Sequence, residues 1–491
     1  MNIPPNFAEQ IDPLIRQAMQ TWNVPGLALA IVKDDQVILE KGYGLREMDK
    51  AQSVDEHTLF AIGSNTKAFT ATALGLLVQE GKLGWDDPVS QYLPWFQLQD
   101  PHASALITLR DLLCHRAGLG TWAGDVLLLS SYSEEEIARR VRHIPPAYSF
   151  RAGYGYSNLM FITAGLVIAG VSGMSWDEFI RRRFFEPLGM KDSVTNPLYF
   201  GDRTNRATPH EDIKGKLQTV PYGDDGTAGA AGAICASAAD IARWMRLQLN
   251  GGSLDGQSIV DAAIIAETRS PHTPILLSAQ ERKLFPSRHF AAYGLGWFLS
   301  DLHGRFIVRH TGGVDGMLSS VMLVPEEQLG IAIFTNKLPN AAYNLLQYAL
   351  LEKLLGLPAH DWVQTYQDLD NEIKAAGQTA RQAREDQRVK ETQPALTAAS
   401  YCGRYESLIL GGASVSLAGE GLRLQLDAHP SIWGMLEHWH YDTFLCRWDD
   451  PVLGESLVPF ISDGQGQAAE FRLKIREDWI DPLEHTFKKT A

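Results

Sequence analysis

The sequence predicts an α+β fold, with a central antiparallel sheet flanked by helices, a helical lobe, and a small antiparallel β-barrel after them. Three observations predict it. Strand-like segments gather near the N-terminus and again from Tyr293 onward, with helical segments between them. The segment 65–80 is apolar nearly all round, which marks a helix buried inside a large protein. Beyond residue 401, short alternating segments recur between Gly and Asp turns. At 491 residues the chain exceeds one compact core. The expected division is a first domain over 1–358, an amphipathic helix and polar linker over 359–394, and a barrel over 395–491.

Each element has a local cause. A helix-like opening segment stops at Val24-Pro25-Gly26. Residues 27–32 and 36–43 then read as a hairpin turned at Lys33-Asp34-Asp35, with apolar and β-branched residues on either side of a polar turn. Phe60 to Gly63 leads into Ser64, and the helix over 65–80 stops at Gly81. Helices are expected over 109–115, 134–143, 158–171 and 176–185. A glycine-rich loop over 224–233 and a helix opened by Ser237, with Asp240 three residues on in a capping-box pattern, follow. Strands are expected over 294–300, 306–310, 319–324 and 330–335, with a helix over 340–355 packed on them. In the barrel, strands are expected over 401–405, 413–417, 422–426, 434–437, 443–448, 457–461 and 469–475.

Composition narrows the function. The formal net charge is −14, from 44 basic and 58 acidic residues, which repels polyanions and argues against nucleic acid as partner. The triplet Arg181-Arg182-Arg183 reads as a solvated helix face. No stretch supplies the roughly 20 apolar residues of a membrane span, and 159–171 reads as a buried helix. Without a basic segment followed by an apolar one at the N-terminus, a cytoplasmic location is expected. Cys114, Cys235, Cys402 and Cys446 lie far apart without CxxC spacing, so free thiols are expected and a metal site is not.

Three stretches carry candidate chemistry. In Ser64-Asn65-Thr66-Lys67, a spacing of three on a helix puts hydroxyl and ammonium on one face. A serine hydroxyl needs a base, and a lysine serves when burial and a helix N-terminus favour its neutral form. The bland alternative is Ser64 as a plain N-cap. In Tyr154-Gly155-Tyr156-Ser157-Asn158, Tyr156 and Asn158 can both face a cleft, or Asn158 can simply cap the next helix. In His310-Thr311-Gly312-Gly313, at the end of an expected edge strand, glycines admit a substrate backbone and the Gly313 amide can donate to an oxyanion.

In this order the three stretches resemble the motifs S-x-x-K, Y-x-N and K-T-G of the serine β-lactamase and penicillin-binding-protein superfamily. Val24-Pro25-Gly26, the run Leu109 to Leu119 and Glu186-Pro187-Leu188-Gly189-Met190 resemble its class C branch, over roughly residues 7–357. The resemblance implies a β-lactamase-like fold, with Ser64 as acylated nucleophile, Lys67 as its base and Tyr156 as shared acid/base. It implies Asn158, His310, Thr311, Gly312 and Gly313 as substrate-binding, the amides of Ser64 and Gly313 as oxyanion hole, and no metal or cofactor. The C-terminal segment resembles a lipocalin-like barrel appended to some peptidase and esterase relatives, where it can restrict the cleft. Trp433, His438, Trp439, His440 and Trp448 are candidates for such a wall, or simply fill the barrel.

One departure bears on substrate. The third motif begins with His310, and a mostly neutral histidine attracts a substrate carboxylate less than lysine does. Arg309 points to the opposite face by strand alternation. H-T-G is also the form seen in relatives that act as D-aminopeptidases, amidases and esterases. The leading expectation is therefore a serine hydrolase of amide or peptide bonds in small molecules or short peptides, with D-stereospecific cleavage among its forms. A carboxylesterase on the same site is the alternative, β-lactam hydrolysis ranks below both, and a non-hydrolytic penicillin-binding-like sensor is the reading from another class. A homo-oligomer stays open.

Overall fold

The computed structural model describes residue 4 and residues 6–223, 228–419, 421–429, 431–475 and 480–490. Residues 1–3 and 5 of the N-terminal stretch and residues 224–227 of the expected glycine-rich loop lie outside the described residues. The chain divides into two compact units. One comprises Met1–Pro94, Leu106–Ala117 and Met160–Leu369, the other Trp95–Ala105, Gly118–Leu159 and Asp370–Ala491.

The first unit is built on an eight-stranded antiparallel sheet. Its order is Gln36–Gly44, Gly26–Lys33, Leu329–Thr335, Met317–Val324, Arg305–Val314, Phe298–Leu302, Ala291–Tyr293, Thr273–Ile275. The hairpin turns on Asp34 and Asp35, both at positive φ, as a two-residue loop between right-twisted strands requires. Its first strand pairs with a strand from far along the chain, Leu27 opposite Thr335 and Lys33 opposite Leu329. Alternation along the strands then feeds two helical layers. Leu27, Leu29, Ile31, Ile331 and Ile333 pack with Ile11 and Ile15 of Phe7–Thr21 and with Leu345 and Leu346 of Ala342–Leu355. The helix Ala238–Leu249 packs against the same central strands. Full burial of one such aliphatic side chain contributes about 1.5–3 kcal/mol, so this layering and not helix propensity holds the unit together.

Two expectations need correction here. The strand expected over 294–300 begins only at Phe298 and runs to Leu302, because residues 294–297 turn, with Gly296 at a φ of +77°, after a separate strand Ala291–Tyr293. A Cβ at Gly296 would stand 2.6 Å from the Lys67 carbonyl oxygen, so this turn packs on the backbone of the Ser64 helix. The capping box at Ser237 is half formed. Its hydroxyl accepts from the Asp240 amide, but the Asp240 carboxylate accepts from the Ser193 hydroxyl and the Asp192 and Ser193 amides instead.

In the second unit, eight strands close an antiparallel barrel: Gly403–Ser407, Gly411–Ala418, Gly421–Leu426, Trp433–His440, Thr443–Trp448, Glu455–Ser462, Ala468–Leu473 and His485–Lys489. The eighth was not expected. It completes the ring by pairing with the first, Tyr405 opposite Lys489. Tyr401, Tyr405, Phe444, Phe460, Phe471 and Phe487 are buried, in a chain of ring contacts. Of the candidate wall residues, Trp448 is buried and donates to Ser456 Oγ at 2.9 Å. Trp439 lies under Arg388 and Trp433 under Arg423. The helix Trp362–Asp386 runs into the stretch expected as a polar linker, since Ala, Gln, Arg and Glu sustain a helix even without an apolar stripe.

Arg181, Arg182 and Arg183 each pair with a glutamate, as a solvated helix face would. The four cysteines are unbridged, with Cys114, Cys235 and Cys446 buried and Cys402 half-buried. Among the described residues, no single helix is long and apolar enough to cross a membrane, and no group of three metal-ligating side chains forms.

Candidate active site

Ser64 sits in a 3₁₀ turn, Gly63–Asn65, that runs directly into the helix Thr66–Gln79. From Thr58 to Leu77 every residue is buried except Ser64, so the fold leaves one hydroxyl accessible in an otherwise covered stretch. Its side chain does not cap the helix. It meets Lys67 Nζ at 3.0 Å, which removes the plain N-cap reading. Lys67 is fully buried. Its Nζ also donates to the Ala231 carbonyl at 2.7 Å and lies 5.4 Å from the centre of the Phe161 ring. A neutral amine held at this distance can accept the serine proton, and an ammonium there can return it to a leaving group.

The sheet fixes where this turn points. Gly63 has a φ of +53°, and a Cβ on it would stand 2.8 Å from the Gly313 nitrogen. A Cβ on Gly312 would overlap the Ile62 carbonyl oxygen. Two glycine-bearing backbones therefore lie in direct contact, and any side chain between them would part Ser64 from the strand Arg305–Val314. Ser319 Oγ donates to the Ile62 carbonyl at 2.6 Å and accepts from Asn65 Nδ2 at 2.8 Å, pinning both sides of Ser64 to the neighbouring strand. Gly312→Ala is accordingly expected to cost at least about 100-fold in kcat/KM with a lowered Tm, the scale of a 1 Å misplacement. Steady-state kinetics on the folded variant check it, and wild-type values would remove the docking role.

The strand carrying the third motif is an edge only in part. Its pairing to Phe298–Leu302 ends at Arg309 opposite Phe298, while pairing to Met317–Val324 continues to Val314. Along 310–314 one side of the strand is thus beyond its shorter neighbour, and Gly313 is exposed there. Thr311 is half-buried and Gly312 buried. His310 is buried as well. Its Nδ1–H donates to the Thr311 carbonyl at 2.6 Å, which fixes the tautomer, and its Nε2 then accepts from the Tyr293 hydroxyl at 2.8 Å. Burial, then the nearby Lys67, holds the imidazole down to about 3. His115, in tilted contact with the Phe161 and Tyr293 rings, is held well below its ordinary value by burial, then by Lys67 and His310. Both rings are neutral near pH 7. Arg309 does face the other way, onto the ring and hydroxyl of Tyr348.

Tyr156 and Asn158 belong to the second unit. Tyr156 is buried, and its backbone is held on both sides by one loop. Its amide donates to Thr121 Oγ1 at 3.1 Å, and its carbonyl accepts from the Trp122 amide at 2.8 Å. Asn158 opens the helix Asn158–Ser172, and its Nδ2 donates to the Asp125 carboxylate at 2.6 Å. The structure thus gathers Ser64, Lys67 and residues 310–313 within the first unit and places the second motif on a separately braced loop. Sequence reasoning did not single out Tyr293, His115, Ser319 or Asp125. Tyr293 carries no local signal, because its approach to His310 is set by the pairing that puts it cross-strand to Phe298, itself opposite Arg309.

The family described as Beta-lactamase matches residues 11–355, more than half of the chain. The chain belongs to this family. Residues 387–489 match a second family, described as a domain of unknown function (DUF3471). Among similar proteins is an unguisins hydrolase of Aspergillus violaceofuscus, 30% identical over 392 residues, covering 74% of this chain and 68% of the relative. Another is an unguisins hydrolase of Aspergillus campestris, 32% identical over 410 residues, at 77% and 71% coverage. Protein flp of Staphylococcus aureus is 27% identical over 339 residues, covering 67% of this chain and 63% of its own length. Among solved structures, the octameric penicillin-binding protein homologue from Pyrococcus abyssi aligns with a TM-score of 0.65 at 21% identity, covering 98% of this chain and all of that one. A D-stereospecific amidohydrolase from Streptomyces aligns at 0.54 and 22% identity, over 66% and 94%. These structural likenesses place the β-lactamase-like fold.

Proposed function

We propose that this β-lactamase-family chain is a serine hydrolase that cleaves amide or peptide bonds of small substrates or short peptides through an acyl-enzyme on Ser64. The observation that carries the reading is the 3.0 Å contact between Ser64 Oγ and the buried Lys67 Nζ. Lys67 takes the hydroxyl proton as Ser64 attacks the carbonyl, and the Ser64 and Gly313 amides receive the oxyanion. Tyr156 acts as shared acid/base and Asn158 grips the substrate amide. The tetrahedral adduct collapses by breaking the C–N bond, and the amine leaves with the proton that Lys67 took from Ser64, passed on through Tyr156. Water then hydrolyses the acyl–Ser64 ester. Relatives named hydrolases support hydrolysis, and the amide form takes its support from a structural neighbour named an amidohydrolase.

The buried, neutral His310 disfavours substrates that need a cation for their carboxylate, β-lactams among them. The test is a screen of paired L- and D-aminoacyl amides, p-nitrophenyl esters and nitrocefin. Turnover of an amide supports the reading, and ester turnover alone would move it to a carboxylesterase. Absence of turnover together with failure of Ser64 to label with a fluorophosphonate would move it to a non-hydrolytic sensor. His310→Lys is expected to raise nitrocefin turnover about tenfold, roughly the 1.4 kcal/mol that one added ionic contact can supply. No change would argue against His310 as a specificity determinant.

A further inference from the structure

The loop 121–125 touches two things. On one side it holds the backbone of Tyr156, through Thr121 Oγ1 and the Trp122 amide, and the side chain of Asn158, through Asp125. On the other side its Gly124 amide donates to the Asp481 carboxylate at 3.1 Å. Asp481 lies just before the closing barrel strand His485–Lys489, and both it and His485 are fully buried. The same carboxylate oxygen meets His485 Nε2 at 3.1 Å, so Asp481 cannot turn away from Gly124 without losing a second buried partner.

Further contacts hold the following stretch to the barrel. The Ser131 amide donates to the Ala428 carbonyl at 2.7 Å, Arg140 Nη1 to the Ile409 carbonyl at 2.9 Å, and the Tyr132 hydroxyl to the Leu410 carbonyl at 3.3 Å. The loop that braces the second motif through Thr121, Trp122 and Asp125 is thus itself tied to the barrel segment through Gly124.

We propose that the C-terminal barrel, through Asp481, sets the position of the loop that holds Tyr156 and Asn158, which makes it a working part of the hydrolytic apparatus. Asp481 is a positioning residue. The proposal rests on the hydrolase reading above. An alternative, in which the barrel only stabilises the chain, predicts that any equally destabilising barrel substitution acts alike.

The experiment uses the full chain and a p-nitrophenyl ester, reading kcat and KM beside Tm. Asp481→Ala is expected to lower kcat about tenfold with KM within about twofold, as expected for a displaced catalytic group. Asp481→Asn, which keeps an acceptor for the Gly124 amide, is expected to recover to within about threefold of wild type. Ser456→Ala removes a buried bond from Trp448 elsewhere in the barrel and is expected to leave kcat unchanged. Wild-type kcat in folded Asp481→Ala overturns the proposal, and so does an equal kcat loss in Ser456→Ala. Where Asp481→Ala does not fold, His485→Gln replaces it, with an expected loss of about threefold, and unchanged kcat there overturns the proposal. Equal rates in wild type and Ser64→Ala would instead bring down the hydrolase reading, and this proposal with it.

Discussion

Ser64→Ala is expected to reduce turnover by about 10⁶-fold, the cost of removing the nucleophile from a serine hydrolase. Stability should barely move. The hydroxyl contributes one contact, to Lys67 Nζ, worth about 1 kcal/mol, and Lys67 keeps its bond to the Ala231 carbonyl. The turn itself is held by Asn65, Ser319 and the two glycine backbones, none of which the substitution touches. The check is kcat on whichever substrate the screen identifies, alongside a thermal melt. Residual activity within tenfold of wild type would show that another group carries the chemistry.

Lys67→Ala should separate base from nucleophile. Losing a general base costs about 10²–10⁴-fold in the step it serves, and here the loss falls on acylation. Fluorophosphonate labelling of Ser64, followed as a rate, measures that step directly. This variant should also lose stability, unlike Ser64→Ala. It empties a fully buried side-chain volume beside Phe161 and leaves the Ala231 carbonyl without its donor, costs of about 2–5 and 1–3 kcal/mol. Lys67→Met fills the volume and restores packing without the amine. A slow but stable Lys67→Met protein would support the assignment; acylation at the wild-type rate in that variant would remove Lys67 from the mechanism.

What the residues disclosed and what they concealed follow one rule. Ser64 and Lys67 could be paired from sequence because a helix fixes the geometry of positions three apart. The sheet was legible where apolar runs were bounded by clear turns, as at Asp34 and Asp35. Contacts set by tertiary approach left no local mark. Tyr293 reaches His310 only through the registers of three strands, Ala291–Tyr293, Phe298–Leu302 and Arg305–Val314, the first two parted by the turn at Gly296. The eighth barrel strand, His485–Lys489, is five residues long with two lysines at its end, and its partner Gly403–Ser407 is the first strand of the barrel, far back along the chain. Asp481 and Gly124 stand more than 350 residues apart, and nothing near either predicts the other.

The pairing of Leu27 with Thr335 sets when this protein can become an enzyme. Closing a loop of about 300 residues costs roughly 5 kcal/mol of chain entropy before the sheet returns any of it. A topology dominated by such distant pairs folds slowly. During synthesis the apolar strand Gly26–Lys33 waits with one edge unfilled until Leu329–Thr335 emerges, which makes the unfinished chain a candidate for chaperone capture. The Ser64 turn waits on the same event, because Gly312 and Ser319, which hold it, are made only shortly before. The nascent polypeptide thus carries Ser64 and Lys67 long before the strands that hold their turn exist.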